Sequence, residues 1–139
     1  MPIRIVAIGG TVNPGSTTEQ ALRLAAAEAG KDGAEVQVFG GAYLEALPHY
    51  RGEGHTLADG ADMVEAVRQA DGLLIAAPGY HGTISGLVKN ALDYLEELAR
   101  DERPYLDGRA VGLIATAYGD QATMSTLQTL RSIVHALRG

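Results

Sequence analysis

The chain has no cysteine, no tryptophan and a single phenylalanine in 139 residues. Without cysteine there is no disulfide framework and no thiolate for metal, redox or nucleophilic chemistry. Cationic side chains are also scarce: 11 Lys and Arg face 17 Asp and Glu, a formal charge of −6. That balance argues against a nucleic-acid partner, because a phosphate backbone is gripped by surplus Lys and Arg. No apolar run reaches the ~20 residues a membrane span requires. The opening MPIRIVAIGG is too short for a signal peptide and no small-residue cleavage site follows it. The histidines at 49, 55, 81 and 135 lack metal-ligand spacing. The expectation is a soluble, cytoplasmic protein with no metal, no membrane and no nucleic acid as partner.

What the chain does have is glycine, 18 residues of it, and alternating apolar segments. Its length fits one domain over 1–139, which buries about two thirds of its unfolded surface. Residues 3–8 (IRIVAI) read as a buried strand ended by Gly9-Gly10, 17–29 as a helix, and 35–39 (EVQVF) as a second strand. A polar, Gly-rich loop is expected from Gly40 to about Thr56, including RGEGH, followed by a helix over about 59–70. Residues 72–77 (GLLIAA) read as a central strand buried on both faces and closed by Pro78-Gly79. A helix is expected over about 86–99, a fourth strand over 109–116 (RAVGLIAT), and a last helix over about 122–138 with Gly139 as its C′ residue. Strict β-α alternation specifies a parallel α/β sheet with helices on both faces, wound in Rossmann-like or flavodoxin-like order.

Two loops carry the functional signal. GGTVNPGSTTEQ, residues 9–20, leaves the first strand and opens a helix. It is neither a Walker A loop nor GxGxxG. It offers Thr11, Asn13, Ser16, Thr17 and Thr18 at the positive end of a helix, a donor set suited to a phosphate monoester. The competing structural reading is a capping box in which Ser16 and Glu19 satisfy each other's backbone amides; it leaves Thr11 and Asn13 unexplained. PGYHGTISG, residues 78–86, leaves the third strand. In flavodoxin-like order the two loops flank one crevice, and the glycines of the second open its backbone to a flat heterocycle. Simple strand termination explains Pro78 equally well, and a surface aromatic explains Tyr80. GTISG places its serine wrongly for a nucleophile elbow. Glu96, Glu97, Asp101 and Glu102 read as a solvated helix end, and Lys89 with Asp93 as a surface i,i+4 pair.

The stretch PGYHGTISGLVKNALDYL resembles the signature of the NADPH-dependent FMN reductase family, Pro-x-Tyr-x-Gly followed by Gly-x-x-Lys-Asn-Ala-x-Asp. The matching residues are Pro78, Tyr80, Gly82, Gly86, Lys89, Asn90, Ala91 and Asp93. The first loop resembles the family's phosphate loop at Thr11, Ser16 and Thr18. YLDGRAVGLIATAYGDQATMSTLQTLRSIV resembles its fourth strand, third flavin loop and closing helix. The resemblance implies a flavodoxin-like sheet of order 2-1-3-4 that holds FMN and reacts with NADPH or NADH. The phosphate would rest on Thr11, Asn13, Ser16, Thr17 and Thr18. The ring would lie against Pro78, Gly79, Tyr80, His81, Gly82 and Thr83, with Ala117, Tyr118 and Gly119 as a third wall. No catalytic acid or base is implied. It also implies a homodimer or homotetramer, with the helix bearing Lys89 and Asp93 at the contact.

This chain departs from the family pattern at Asn13, where Arg is frequent, at Gly79, where Glu is common, and at Tyr118, where Gly is common. The family's fifth strand and last helix have no counterpart before Gly139, so the fourth strand is expected to be an apolar edge covered by another subunit, or exposed by C-terminal truncation. The implied activity is an FMN-dependent oxidoreductase that takes hydride from NAD(P)H and reduces flavin, a quinone or another small acceptor. The alternatives are a flavodoxin-like electron carrier, against which a charge of −6 is mild, and a non-catalytic flavin-binding subunit. Arg51 and Arg109 are the candidates for a 2′-phosphate clamp.

Overall fold

The computed structural model describes residues 1–52 and 58–139. The RGEGH stretch from Glu53 on, with His55 and Thr56, lies outside the described residues. Four long strands form a parallel sheet in the order β2 (Glu35–Phe39), β1 (Arg4–Gly9), β3 (Gly72–Tyr80), β5 (Ala110–Thr116). β1 aligns Ile8 with Phe39 on one side and with Ile75 on the other. β3 aligns Ala76 with Ile114 and Pro78 with Thr116. Counting long strands only, this is the flavodoxin-like 2-1-3-4 order. Among the described residues the outer side of β5 pairs with no strand.

Strand alternation assigns the layers. Val6, Ile8, Leu73, Ile75 and Ala77 face one large core, which they share with Met63, Val67, Leu92, Leu95, Leu130 and Val134 from the helices of that side. Ala7 and Ala76 face the other side, where they pack on Leu22. Leu22 belongs to α1 (Thr17–Lys31); the small side chains opposite let this helix lie close to the sheet. α3 (Ala61–Gln69), α4 (Gly86–Asp93) and α5 (Asp120–Ala136) supply the larger core. The helix expected over 86–99 tightens into a 3-10 segment after Asp93, Tyr94–Leu98.

Three expectations need correction. The stretch from Gly40 is not wholly loop, for α2 (Gly41–Ala46) forms there; six residues beginning with glycine are too short for periodicity to reveal. The helix ending at the C-terminus turns left-handed at Arg138 (φ +64°), so Gly139 falls one position later than expected, its N–H donating to Val134 O at 2.9 Å. The acidic cluster is not simply solvated. Glu96 accepts from the Tyr105 hydroxyl, Glu97 from the Tyr50 hydroxyl, and Asp101 from Arg68 Nε at 2.8 Å. That bond to Asp101 is the main reason the Arg68 pKa is raised.

The Lys-Asn-Ala stretch of α4 has clear structural work. Asn90 accepts from Tyr50 N–H at 2.8 Å and donates to Pro48 O at 3.1 Å, clipping the 48–50 segment to the helix. Lys89 Nζ meets Asp93 Oδ1 at 2.6 Å across one helical turn, with both side chains nearly half exposed.

Candidate functional site

The C-terminal ends of β1, β3 and β5 open onto one cleft of about 260 Å3, the edge at which open α/β sheets receive ligands. Thr11, Asn13, Ser16, Thr17 and Thr18 line it from the loop after β1. Pro78, Gly79 and Tyr80 line it from the end of β3, and Thr116, Ala117 and Tyr118 from the end of β5. No Lys, Arg, Asp or Glu is among these residues. A larger hollow of about 480 Å3 lies at the opposite end, beside Arg4, Glu35 and α3. Among the described residues no cluster of His, Asp or Glu could hold a metal ion.

The first wall is braced from behind. Ser16 is the N-cap of α1, its Oγ accepting the Glu19 N–H at 3.2 Å. The capping box is only half made, because Glu19 does not return to Ser16. Its Oε1 instead accepts the Gly41 N–H at 2.6 Å, at the start of α2, and its Oε2 meets Arg23 Nε at 3.0 Å. The Gly41 N–H, reinforced by Arg23, holds the Glu19 carboxyl below the ordinary carboxylate range. A Cβ on Gly41 would stand 1.8 Å from the Thr11 carbonyl oxygen, so only glycine lets α2 press this closely on the loop. Thr11 Oγ1 accepts the Asn13 N–H at 3.1 Å, a local turn that accounts for both residues without a ligand.

The donors left for the cleft follow from helix geometry. The first N–H groups of a helix have no partner within it. Glu19 N–H is taken by Ser16 Oγ, and Gln20 N–H by Ser16 O at 2.9 Å. The N–H groups of Thr17 and Thr18 come ahead of these and form the positive end of the macrodipole. The exposed Thr17 hydroxyl and Asn13 amide add to them. Thr18 contributes less than expected: it is buried, and its hydroxyl shares a 2.7 Å hydrogen bond with that of Thr116. Thr116 is a cleft residue that sequence reasoning missed; a polar residue closing an otherwise apolar strand, at its C-terminal end, was the available signal.

The second loop is not a loop. β3 runs on through Pro78 to Tyr80 and turns back as β4 (Thr83–Ile84), with Gly79 opposite Ile84 and Tyr80 opposite Thr83. His81 (φ +49°) and Gly82 (φ +88°) form its two-residue turn, and positive φ at both central positions is what a type I′ hairpin demands. Pro78 lies within β3 and its carbonyl accepts the Ser85 N–H at 3.2 Å. His81, Gly82 and Thr83 are exposed and do not line the cleft. Gly119 also stays out of the lining; it is the N-cap of α5. Gly79 answers to packing: a Cβ there would fall 2.1 Å from Thr126 Oγ1 on α5. Neither clamp candidate lines the cleft. The Arg109 guanidinium is buried and donates to the carbonyls of Ala70, Tyr105 and Arg68 at 2.7–3.2 Å. Burial lowers its pKa.

An FMN-dependent NADPH-azoreductase of Staphylococcus aureus is 38% identical over 78 residues, which are 56% of this chain and 38% of that protein. The matched stretch is thus well under half the length of that relative. An NADH:FMN oxidoreductase, in its apo crystal structure, superposes with a TM-score of 0.76 at 28% identity, over 97% of this chain and 69% of that one. The flavoenzyme NAD(P)H:acceptor oxidoreductase of Paracoccus denitrificans has the same fold, with a TM-score of 0.76 at 18% identity, over 96% of this chain and 71% of that one. The family model for NADPH-dependent FMN reductases matches residues 3–139, taking in all three strand ends that open onto the cleft, and the chain belongs to that family.

Proposed function

We propose that the cleft binds FMN and that the protein is an FMN-dependent oxidoreductase, taking hydride from NADPH or NADH and reducing free flavin, a quinone or a similar small acceptor. The observation that carries this reading is the division of the cleft. One end, at the start of α1, offers only uncharged donors. The other, at Pro78, Gly79, Tyr80 and Ala117, is largely apolar. A phosphate monoester fits the first and the edge of a flat ring the second. FMN, when bound, supplies the hydride acceptance and onward electron transfer. The N–H groups of Thr17 and Thr18, with the Ser16 and Thr17 hydroxyls, hold the phosphate. Ala117, Tyr118 and the backbone around Gly79 and Tyr80 orient the ring and shield it from water. His81, Gly82, Thr83 and Gly119 serve this site by shaping the hairpin and the loop rather than by lining the cleft.

Relatives that use FMN with NADPH or NADH support the activity. A cytoplasmic setting, where reduced nicotinamides are abundant, fits it. No helix among the described residues is long and apolar enough to cross a membrane. We assign a homodimer or homotetramer, because among the described residues the outer edge of β5 pairs with no strand while Val111, Leu113 and Ala115 are only partly buried. The presence of two tyrosines in the lining, Tyr80 and Tyr118, favours a second reading, a flavin-bound electron carrier. Anaerobic stopped flow on FMN-loaded protein separates the two. The oxidoreductase bleaches the flavin on mixing with NADPH or NADH; FMN that binds and stays oxidised with both nicotinamides overturns the oxidoreductase and favours the carrier.

A further inference from the structure

We propose that a small hollow at the end of the sheet opposite the FMN cleft binds hydrogen phosphate. The hollow measures about 250 Å3 and is lined by Arg68, Asp101, Glu102, Arg103 and Arg109. Arg68 lies in the last turn of α3, and Arg109 immediately precedes β5. None of the five lines the cleft, so this site stands apart from the FMN reading. Three of the chain's 11 Lys and Arg thus meet at one place in a protein whose formal charge is −6. Their guanidinium groups are held in advance. Backbone carbonyls fix Arg109, and Asp101 fixes Arg68. Arg103 donates to Asp107 O at 2.9 Å and to Gly108 O at 3.1 Å. A Cβ on Gly108 would lie 3.5 Å from Arg103 Nε, so the guanidinium rests against the glycine.

The protein does not neutralise this charge itself. Arg68 is paired with Asp101 and Glu65, but Arg103 and Arg109 make no ion pair among the described residues. Burial is the main reason the Arg109 pKa is lowered; the Arg103 and Arg68 charges lower it further, against Asp101 and Asp107, which raise it. A guanidinium has five N–H donors, and carbonyls take only two on Arg103 and three on Arg109. The remaining donors suit a tetrahedral oxyanion, which Arg binds through paired N–H groups. Glu102 decides which oxyanion. It is exposed and has no partner among the described residues. A carboxylate on the wall repels an anion that brings only lone pairs, as sulfate does. Hydrogen phosphate keeps an O–H at neutral pH. It donates that O–H to Glu102 while its other oxygens accept from the arginines.

The test is isothermal titration with sodium phosphate and with sodium sulfate at one ionic strength, in the presence of saturating FMN so that phosphate is kept out of the cleft. Wild type takes up one phosphate per chain and binds sulfate at least about tenfold more weakly, the worth of one charge-assisted hydrogen bond. Arg103→Ala weakens phosphate about tenfold, and Thr17→Ala, a change in the cleft, leaves it as in wild type. Arg103 also ties the 107–108 turn, so Glu102→Gln on an exposed side chain is the second variant: it removes the repulsion and narrows the gap between phosphate and sulfate. The proposal is overturned if wild type takes up no phosphate, if sulfate binds wild type as tightly, or if phosphate uptake survives Arg103→Ala unchanged and is lost in Thr17→Ala. A protein that takes up no FMN but binds phosphate through Arg103 loses the FMN reading and keeps this site.

Discussion

The loop after β1 and the loop after β5 reach the same cleft but are held by opposite means. Behind the first, the Glu19 carboxylate, the Gly41 amide and the Arg23 guanidinium lock α1 to α2, and Gly41 brings backbone into direct contact with Thr11. The second has its main chain pinned at Thr116 and Gly119, while Tyr118 between them is fully exposed. A phosphate group needs donors fixed in advance, because uncharged donors compete with water only if they need not be rearranged. A ring gains from a side chain that can move onto it. Changes in the first wall should therefore alter stability and binding together, and changes at Tyr118 binding alone.

The largest effect is expected at Gly41. Gly41→Ala drives a methyl group into the Thr11 backbone carbonyl, which has no flexible side chain to give way, and should cost about 3 kcal/mol or more, read by chemical denaturation, with FMN affinity falling alongside. Glu19→Ala leaves the Gly41 N–H and Arg23 without their acceptor and should cost about 1–3 kcal/mol. Its pH dependence has a definite sign. Glu19 titrates lower folded than unfolded, so it contributes stability above the ordinary carboxylate range and loses that contribution as the pH falls through this range toward its depressed value. Glu19→Gln should flatten this part of the acid limb of a stability–pH curve. Thr116→Val unpairs the buried Thr18 hydroxyl, at about 1–2 kcal/mol, with Thr116→Ser restoring it. Tyr118→Ala should stay within about 0.5 kcal/mol of wild type. A Tyr118→Ala loss as large as that of Glu19→Ala would erase the contrast between the walls.

The architecture was legible because its signals are local and repeated. IRIVAI, GLLIAA and RAVGLIAT are apolar and β-branched, and the helices of α1 and α4 space Leu22 with Ala26 and Val88 with Leu92 four residues apart. What was hidden depends on contacts distant in sequence. Glu19 fits a capping box by spacing, but its partner is Gly41, 22 residues away. Pro78-Gly79 reads as a stop, yet β3 continues because Pro78 sits where its missing N–H is tolerated and its carbonyl still finds Ser85. Arg109 looks like a free cation until three backbone carbonyls enclose it. Eleven residues line the cleft, and ten of them, all but Thr116, were marked from sequence. The four marked residues that stay outside, His81, Gly82, Thr83 and Gly119, come from the family resemblance, and the hairpin turn and helix N-cap they form look like ordinary loop when written as a string.

The central claim is that the cleft holds a phosphate monoester with amide and hydroxyl donors alone. Isothermal titration of the wild-type protein with FMN and with riboflavin tests it most directly, since the two ligands differ only in that group. The account predicts that FMN binds at least about tenfold more tightly than riboflavin, the worth of one charge-assisted hydrogen bond, and that Thr17→Ala narrows the gap. Equal affinity for the two flavins, or no binding of either, would contradict it.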